Sequence, residues 1–211
     1  LDGKSVDQIH VDLTSDVDLS QAVRLAENEG LAFIGDQKGG AFDLAESVVL
    51  PMLAAVGNPN GRPNSDVVRP WANGLDITRR PRHMWIIDFG DSMPKDEAAK
   101  YEHPFQIVGQ RVQPERAKVK RKRYRDFWWL HAEPCSEMRK AIVRNNRFLV
   151  TPTVSKHRIF AWWTTPTLPD HQLVAFGRAD DYFFGVIHSR VHETWALELG
   201  TRLETRPRYT P

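Results

Sequence analysis

Between Arg111 and Arg125 the chain places eight Lys or Arg, at positions 111, 116, 118, 120, 121, 122, 123 and 125, against a single acid, Glu115. The window carries +7 while the whole chain is only +2, so the other 196 residues sum to about −5. Charge this local builds one polyanion-facing surface, and the chemistry it offers is neutralisation of phosphates. The alternative is a solvated charged helix with no partner. The run leads into Phe127-Trp128-Trp129-Leu130-His131, and that aromatic continuation favours the polyanion surface, with double-stranded DNA as its first partner. The phosphate-contact candidates are Arg116, Lys118, Lys120, Arg121, Lys122, Arg123 and Arg125.

Reading bases needs donors and acceptors held rigidly at base edges: Arg or Lys for guanine, Asn or Gln for adenine, Glu or Asp for cytosine. Lys156, His157 and Arg158 stand in a break between two β-rich runs. Glu133 follows the aromatic strand at a turn, and Arg190 lies on the polar face of the last helix. These five are the candidate base readers, and each reads equally well as a surface ion-pair residue.

Catalytic signatures are present only in part. Asp88-Phe89-Gly90 matches a kinase metal-binding tripeptide but has neither a glycine-rich loop before it nor a His-Arg-Asp loop. His131-Ala132-Glu133 with Pro134-Cys135 imitates half of a zinc deaminase site, which needs a second thiolate, and Cys135 is the only cysteine. Gly35 to Gly40 lacks the order of a phosphate-binding loop and reads as a plain turn. His188 and His192 are four apart on one helix without a third ligand at metal spacing, which favours a partly buried, satisfied pair. Asp88 with Glu97 and Lys100 is a distant sketch of a metal nuclease. The expectation is no catalytic residue and no metal site in this chain.

Positioning these groups requires an α+β fold, a mixed and mostly antiparallel sheet with flanking helices. Asp18 or Ser20 can cap a helix over 21–28, followed by a strand at Leu31–Gly35. Asp43 and Glu46 look like a capping box for a helix toward Val56 that Pro51 should kink. Residues 57–64 can only be loop, and Met84–Phe89 is the strongest central strand. Pro94 opens a helix through about Val108, and Pro114-Glu115 opens the basic helix. A helix over Ser136–Val143 precedes three β-rich runs, Phe148–Val154, Arg158–Thr164 and Gln172–Phe176, which read as a meander. Asp180-Asp181 can cap a long final helix with Phe184, Ile187, Val191, Trp195 and Leu199 on one face. Residues 206–211 should leave as an extended arm.

The 211 residues, 41% hydrophobic with seven Trp and ten Phe, can build a real core, which excludes a disordered tail. A lone cysteine permits no intramolecular disulfide and fits a reducing cytoplasm. No 18-residue apolar run could span a bilayer, so no membrane partner is expected. The start at Leu1, without Met, fits a piece of a longer protein.

The order of the features resembles a known family. Asn58 to Trp71, Asn73 to Arg82 and Trp85 to Gly90, then Tyr124 to His131, Val154 to Arg158, Leu168 to Asp170, Gly185 to His192 and Arg206 to Tyr209, are similar to the C-terminal region of MmeI-like DNA methyltransferases, the type IIL restriction and modification family. The resemblance implies a single target recognition domain over 1–211, with a possible sub-boundary near 110–126. It further implies that an adenine-N6 methyltransferase domain of the same polypeptide holds S-adenosylmethionine. This chain departs from such a domain, because its only Asn-Pro pair continues to Asn60 where a transferase needs Asn-Pro-Pro-Tyr or a close variant. Its cofactor loop is missing as well. No cofactor is therefore expected here, and the chain alone should be inert. The competing class is a non-enzymatic domain whose basic helix binds RNA or an acidic protein.

Overall fold

The computed structural model describes residues 25–198 and 200–210, together with Gly3, Ser5, Val6 and Val23. In chain order its first half holds β1 (Ala32–Ile34), β2 (Asp43–Leu44), α1 (Glu46–Ala54), β3 (Val68–Ala72), α2 (Gly74–Thr78), β4 (Met84–Ile87), α3 (Lys95–Ala99), α4 (Glu102–Arg111), α5 (Gln113–Ala117) and α6 (Lys122–Asp126). The second half holds α7 (Ser136–Val143), β5 (Arg147–Pro152), β6 (Ala161–Thr164), β7 (Leu168–Pro169), β8 (Leu173–Phe176), α8 (Asp181–Ile187), α9 (Arg190–Glu198), β9 (Arg202–Leu203) and β10 (Arg206–Pro207). The fold is α+β. One sheet runs β1-β8-β5-β6 and is antiparallel throughout. The second runs β2-β4-β3-β7 and is antiparallel except where β7 lies parallel to β3.

The first sheet is covered on both faces, which is why β8 is buried at every position and reads as a continuous apolar run without alternation. Phe148, Val150, Leu173 and Ala175 face the main core, whereas Leu149, Val174 and Phe176 pack against Phe160, Ile187 and Tyr209. The main core draws on Phe42, Ile86, Val108, Val112, Trp129, Met138 and Phe148 alike, so it takes side chains from both sides of the 110–126 stretch. Gly35 lies where the sheets meet: a Cβ there would fall 2.3 Å from the Asp170 carbonyl oxygen.

Several sequence expectations change. The anticipated helix over 21–28 begins outside the described residues, and only a 3-10 turn, Ala26–Asn28, stands in its place. Asp43 is a strand residue paired with Ile86, not a cap; the N-cap of α1 is Ala45, and the helix continues to Ala54 despite Pro51. The helix expected from Pro94 divides at Lys100–Tyr101 into α3 and α4. Pro104 explains this, since it occupies the first turn of α4, where its missing N–H has no partner to lose. The strands are not a meander, because β5 lies in the middle with β6 on one side and β8 on the other. Phe127–Leu130 is a turn, not a strand, and Trp128 and Trp129 are core residues, the latter donating from Nε1 to the Met93 carbonyl at 2.8 Å. The long last helix breaks at His188–Ser189, which turns Val191 out to 81% exposure although Ile187 stays buried. Leu199 lies outside the described residues. The arm folds back, as Val154 pairs with Arg208 and the Tyr209 N–H donates to the Thr153 carbonyl at 2.7 Å.

Candidate nucleic-acid interface

The basic stretch does not form one helix. Neighbouring cations at i, i+3 and i, i+4, such as Lys118 with Arg121 and Lys122, repel along a helical face, and the chain opens at 118–121 between α5 and α6. Arg125 holds the opening, donating from Nη1 to the Val119 and Lys120 carbonyls at 2.7 Å each. Arg116 goes inward. Its buried guanidinium donates to the carbonyls of Lys38 and Gly39 at 2.9 Å and of Leu130 at 3.3 Å, and burial pushes its pKa down. Those donors are spent on the fold, which takes Arg116 out of any phosphate-facing set. Lys118, Lys120, Arg121, Lys122, Arg123 and Arg125 are exposed, and Lys120 and Lys122 have no acid within ion-pair distance among the described residues.

Glu133 stands beside this stretch. Its carboxylate accepts from the Tyr124 hydroxyl at 2.6 Å and from Arg121 Nη1 at 3.1 Å, with Arg123 3.8 Å away. These side chains, with Asp91, Ser92, Pro134 and Ser136, line an open depression of about 510 Å³. The main chain of Glu133 pairs with Gln37, and Asp36 pairs with Asp170. The Asp170 N–H donates to the Ala72 carbonyl at 2.8 Å, and the Thr153 N–H donates to the Gln172 carbonyl at 2.8 Å. The turn at 170–172 therefore ties the ends of β3 and β5 into a rim, and Glu133 is linked to it through residues 36–37. That turn is the rim's middle. The β3–β4 connection with Arg79, Arg80 and Arg82 adjoins through Ala72 and the β5–β6 connection with Lys156 and His157 adjoins through Thr153, while Glu133 and the α5–α6 stretch lie beside Asp91 and Ser92, which follow the opposite end of β4.

Lys156 and His157 are exposed on this rim. Arg158, between them and β6, behaves differently: it donates to the Pro152 carbonyl at 2.6 Å and the Thr151 hydroxyl at 3.2 Å, and its guanidinium lies 5.2 Å from the centre of the Tyr209 ring. Burial lowers the Arg158 pKa and pushes the Tyr209 hydroxyl up to about 12. Arg158 is thus a brace for the returning arm. Arg190 is exposed at the start of α9, next to the corner where His188 stands edge-on to Phe160 and His192 tilts against it. His192 is tied to the Ile187 carbonyl at 2.7 Å and the Tyr209 hydroxyl at 3.1 Å. Among the described residues no group of three or more His, Cys, Asp or Glu is arranged to hold a metal.

Behind the rim lies a charge cluster absent from the sequence expectations. Asp36, Asp88 and His131 are buried, and Arg139 reaches between them from α7. His131 Nδ1 lies 3.1 Å from Asp36 Oδ2 and its Nε2 3.0 Å from the Ile87 carbonyl. Arg139 Nη1 and Nη2 meet the Asp88 carboxylate at 2.8 and 2.9 Å, and Nη2 also bonds Asp36. Burial would raise both carboxyls, but the opposing charges and hydrogen bonds of His131 and Arg139 win, holding Asp36 below its usual range and Asp88 down to about 2. Arg69 adds an ion contact, Nε to Asp88 at 3.2 Å, whose angle leaves that N–H without a hydrogen-bond acceptor. Each charge is matched, so the cluster acts as a brace: Asp36 Oδ1 also accepts from the Cys135 N–H at 2.9 Å, fixing the segment that carries Glu133. The Asp88 of the kinase-like tripeptide is spent here. The signal that could have revealed the cluster is three ionisable residues, Asp36, Asp88 and His131, each set at the edge of an apolar run.

No family model matches the chain, and no curated protein does. Among solved structures it is similar in fold to a type IIL restriction-modification enzyme, MmeI, described in complex with DNA, at a TM-score of 0.69 and 16% identity. The likeness covers 97% of this chain and 27% of that one, so this chain spans about a quarter of that enzyme's length.

Proposed function

We propose that this chain is the DNA-reading module of a site-specific adenine-N6 DNA methyltransferase, gripping double-stranded DNA with the rim while another domain of the same polypeptide transfers the methyl group. The observation that carries this is the pairing of cations with rigid backbone: exposed cations on the β3–β4 and β5–β6 connections flank a turn fixed by main-chain pairing, and exposed cations of α5–α6 surround the Glu133 carboxylate, whose main chain is fixed in the same way. Such an arrangement separates phosphate neutralisation from base-edge contact, the division of labour that sequence-specific duplex binding needs. The likeness in fold to part of a restriction-modification enzyme, and the order of sequence features along the chain, support the same reading.

The residues present do not fit S-adenosylmethionine or a flipped adenine. Asn58, of the only Asn-Pro pair, donates from its side-chain amide to the Arg62 carbonyl and the Asn64 side chain, closing its own loop instead of offering itself to a base. We therefore assign the cofactor and the chemistry to a domain outside this chain, and calorimetry with S-adenosylmethionine and a tritium-transfer assay on this chain should both be blank.

The direct test is affinity for duplex DNA as salt is varied. Contact with four to six phosphates predicts log affinity falling against log salt with a slope of about −4 to −5, from roughly 0.9 per phosphate. Replacing Lys120, Arg121, Lys122 and Arg123 together by Gln should flatten that slope and leave sequence preference intact. A slope unchanged in the quadruple variant, or stronger binding to RNA or an acidic protein than to any duplex, sinks the reading.

A further inference from the structure

The middle of the rim is a turn, Asp170-His171-Gln172, whose three main-chain N–H groups are all committed. Besides the Asp170 bond to Ala72, the His171 N–H donates to the Asp36 carbonyl at 3.0 Å, and the Gln172 N–H donates to Asp170 Oδ1 at 2.9 Å. The Gln172 carbonyl accepts from both the N–H and the hydroxyl of Thr153. With these N–H groups used, the donors the turn can still offer are on the side chains of His171 and Gln172, and both are exposed. The His171 ring is steered by Asp170, with Nδ1 3.1 Å from Oδ1. The Gln172 amide has no hydrogen-bond partner among the described residues, and its side chain packs beside Gly74, where a Cβ would meet its Cβ and Oε1 at 3.5 Å.

We propose that Gln172 is a base-reading residue whose side-chain amide, held on this rigid turn between the cationic connections, recognises one adenine in the major groove. This rests on the DNA reading above and adds a residue to it. An exposed glutamine on a floppy loop would lose rotamer and backbone freedom when it docked; here the backbone is already fixed, so the cost of ordering falls mainly on the side chain. A glutamine amide presents one donor and one acceptor side by side, the complement of adenine N7 and N6. The flanking cations supply phosphate contacts that would set the register of that amide against the base edge.

The test is selection of the full chain and its variants against a pool of 20-base-pair duplexes with randomised centres, followed by affinity for the selected site. Wild type should enrich a motif with adenine at one position. Gln172→Glu cannot donate to N7 and can accept from a cytosine amino group, so it should switch that position toward cytosine and bind the wild-type site about 5- to 150-fold more weakly. Gln172→Ala should leave the position degenerate. Both changes are at an exposed side chain, and unchanged thermal midpoints would confirm intact folding. If wild type enriches no motif, the DNA reading itself fails. If wild type selects a motif that both variants keep at every position, that reading survives and the assignment of Gln172 is overturned.

Discussion

Charge is used in two opposite ways a short distance apart in this molecule. Within the fold, Asp36, Asp88 and His131 are buried and, with the half-buried Arg139, matched and hydrogen-bonded on nearly every side; on the α5–α6 stretch, Lys118, Lys120 and Lys122 stand in water with at most one long ion pair, Lys118 to Glu115 at 3.5 Å. Removing one partner of a buried cluster strands the others in a poor dielectric, whereas removing an exposed cation strands nothing. The first region should therefore control whether the chain folds, and the second only what it holds.

Four measurements would break or sharpen that contrast. The largest effect is expected from Arg139→Met, which leaves Asp36 and Asp88 uncompensated and should cost about 3–5 kcal/mol in denaturant unfolding. A loss below about 1 kcal/mol would mean that the cluster is not the brace described here.

Next comes acid. Because the folded Asp88 value, about 2, lies below the ordinary 3.8, its contribution to stability is complete above about pH 4 and is lost as pH falls toward 2. The lowered pKa of Asp36 works in the same direction. Unfolding midpoints should hold on the neutral side of that window and drop within it. In Arg139→Met the drop should begin at higher pH, since the carboxyls lose the charge that holds them ionised.

Tyr209→Phe is smaller. It deletes the hydroxyl beside His192 Nε2 but keeps the ring under Arg158, and should cost about 1 kcal/mol. Loss of hydrogen-exchange protection at the Tyr209 amide, which donates to the Thr153 carbonyl, would be confined to the returning arm and the β5–β6 connection. Global unfolding at that cost would contradict the local role.

The double change Lys120→Gln with Lys122→Gln completes the comparison. Stability should stay within about 0.5 kcal/mol, while the salt slope of duplex binding flattens by about two. A destabilised double variant with an unchanged slope would reverse the roles assigned to the two regions.

The sequence made some of this legible and hid the rest for identifiable reasons. Strands at 32–34 and 84–87 and the helix at 136–143 could be read because their apolar periodicity is strong and turn-forming residues bound them. The division of the basic stretch could not be read from propensity alone, since it depends on where the Arg116 guanidinium finds three carbonyls. Arg116 and Lys120 look alike in a list of charges, and only burial separates them. Lys156, His157 and Glu133 can be picked out because they stand at breaks, and all three are exposed. Arg158 met the same rule, but its donors are occupied by neighbouring carbonyls. The turn at 170–172 has no signature in the sequence, because a two-residue strand, Leu168–Pro169, precedes it, too short for any periodic signal and formed only by pairing with distant β3.

Gly35 sets the gauge of this arrangement. Its missing side chain lets the end of β1 lie against the Asp170 carbonyl so closely that one carbon atom would be a wedge. Prising that contact would displace the 170–172 turn relative to Glu133 and the β5–β6 connection, since all three hang from the same few main-chain pairs. If the chain reads DNA as proposed, a methyl group at residue 35 would thus misalign the whole contacting surface, blurring several base positions together while leaving each contacting side chain chemically intact.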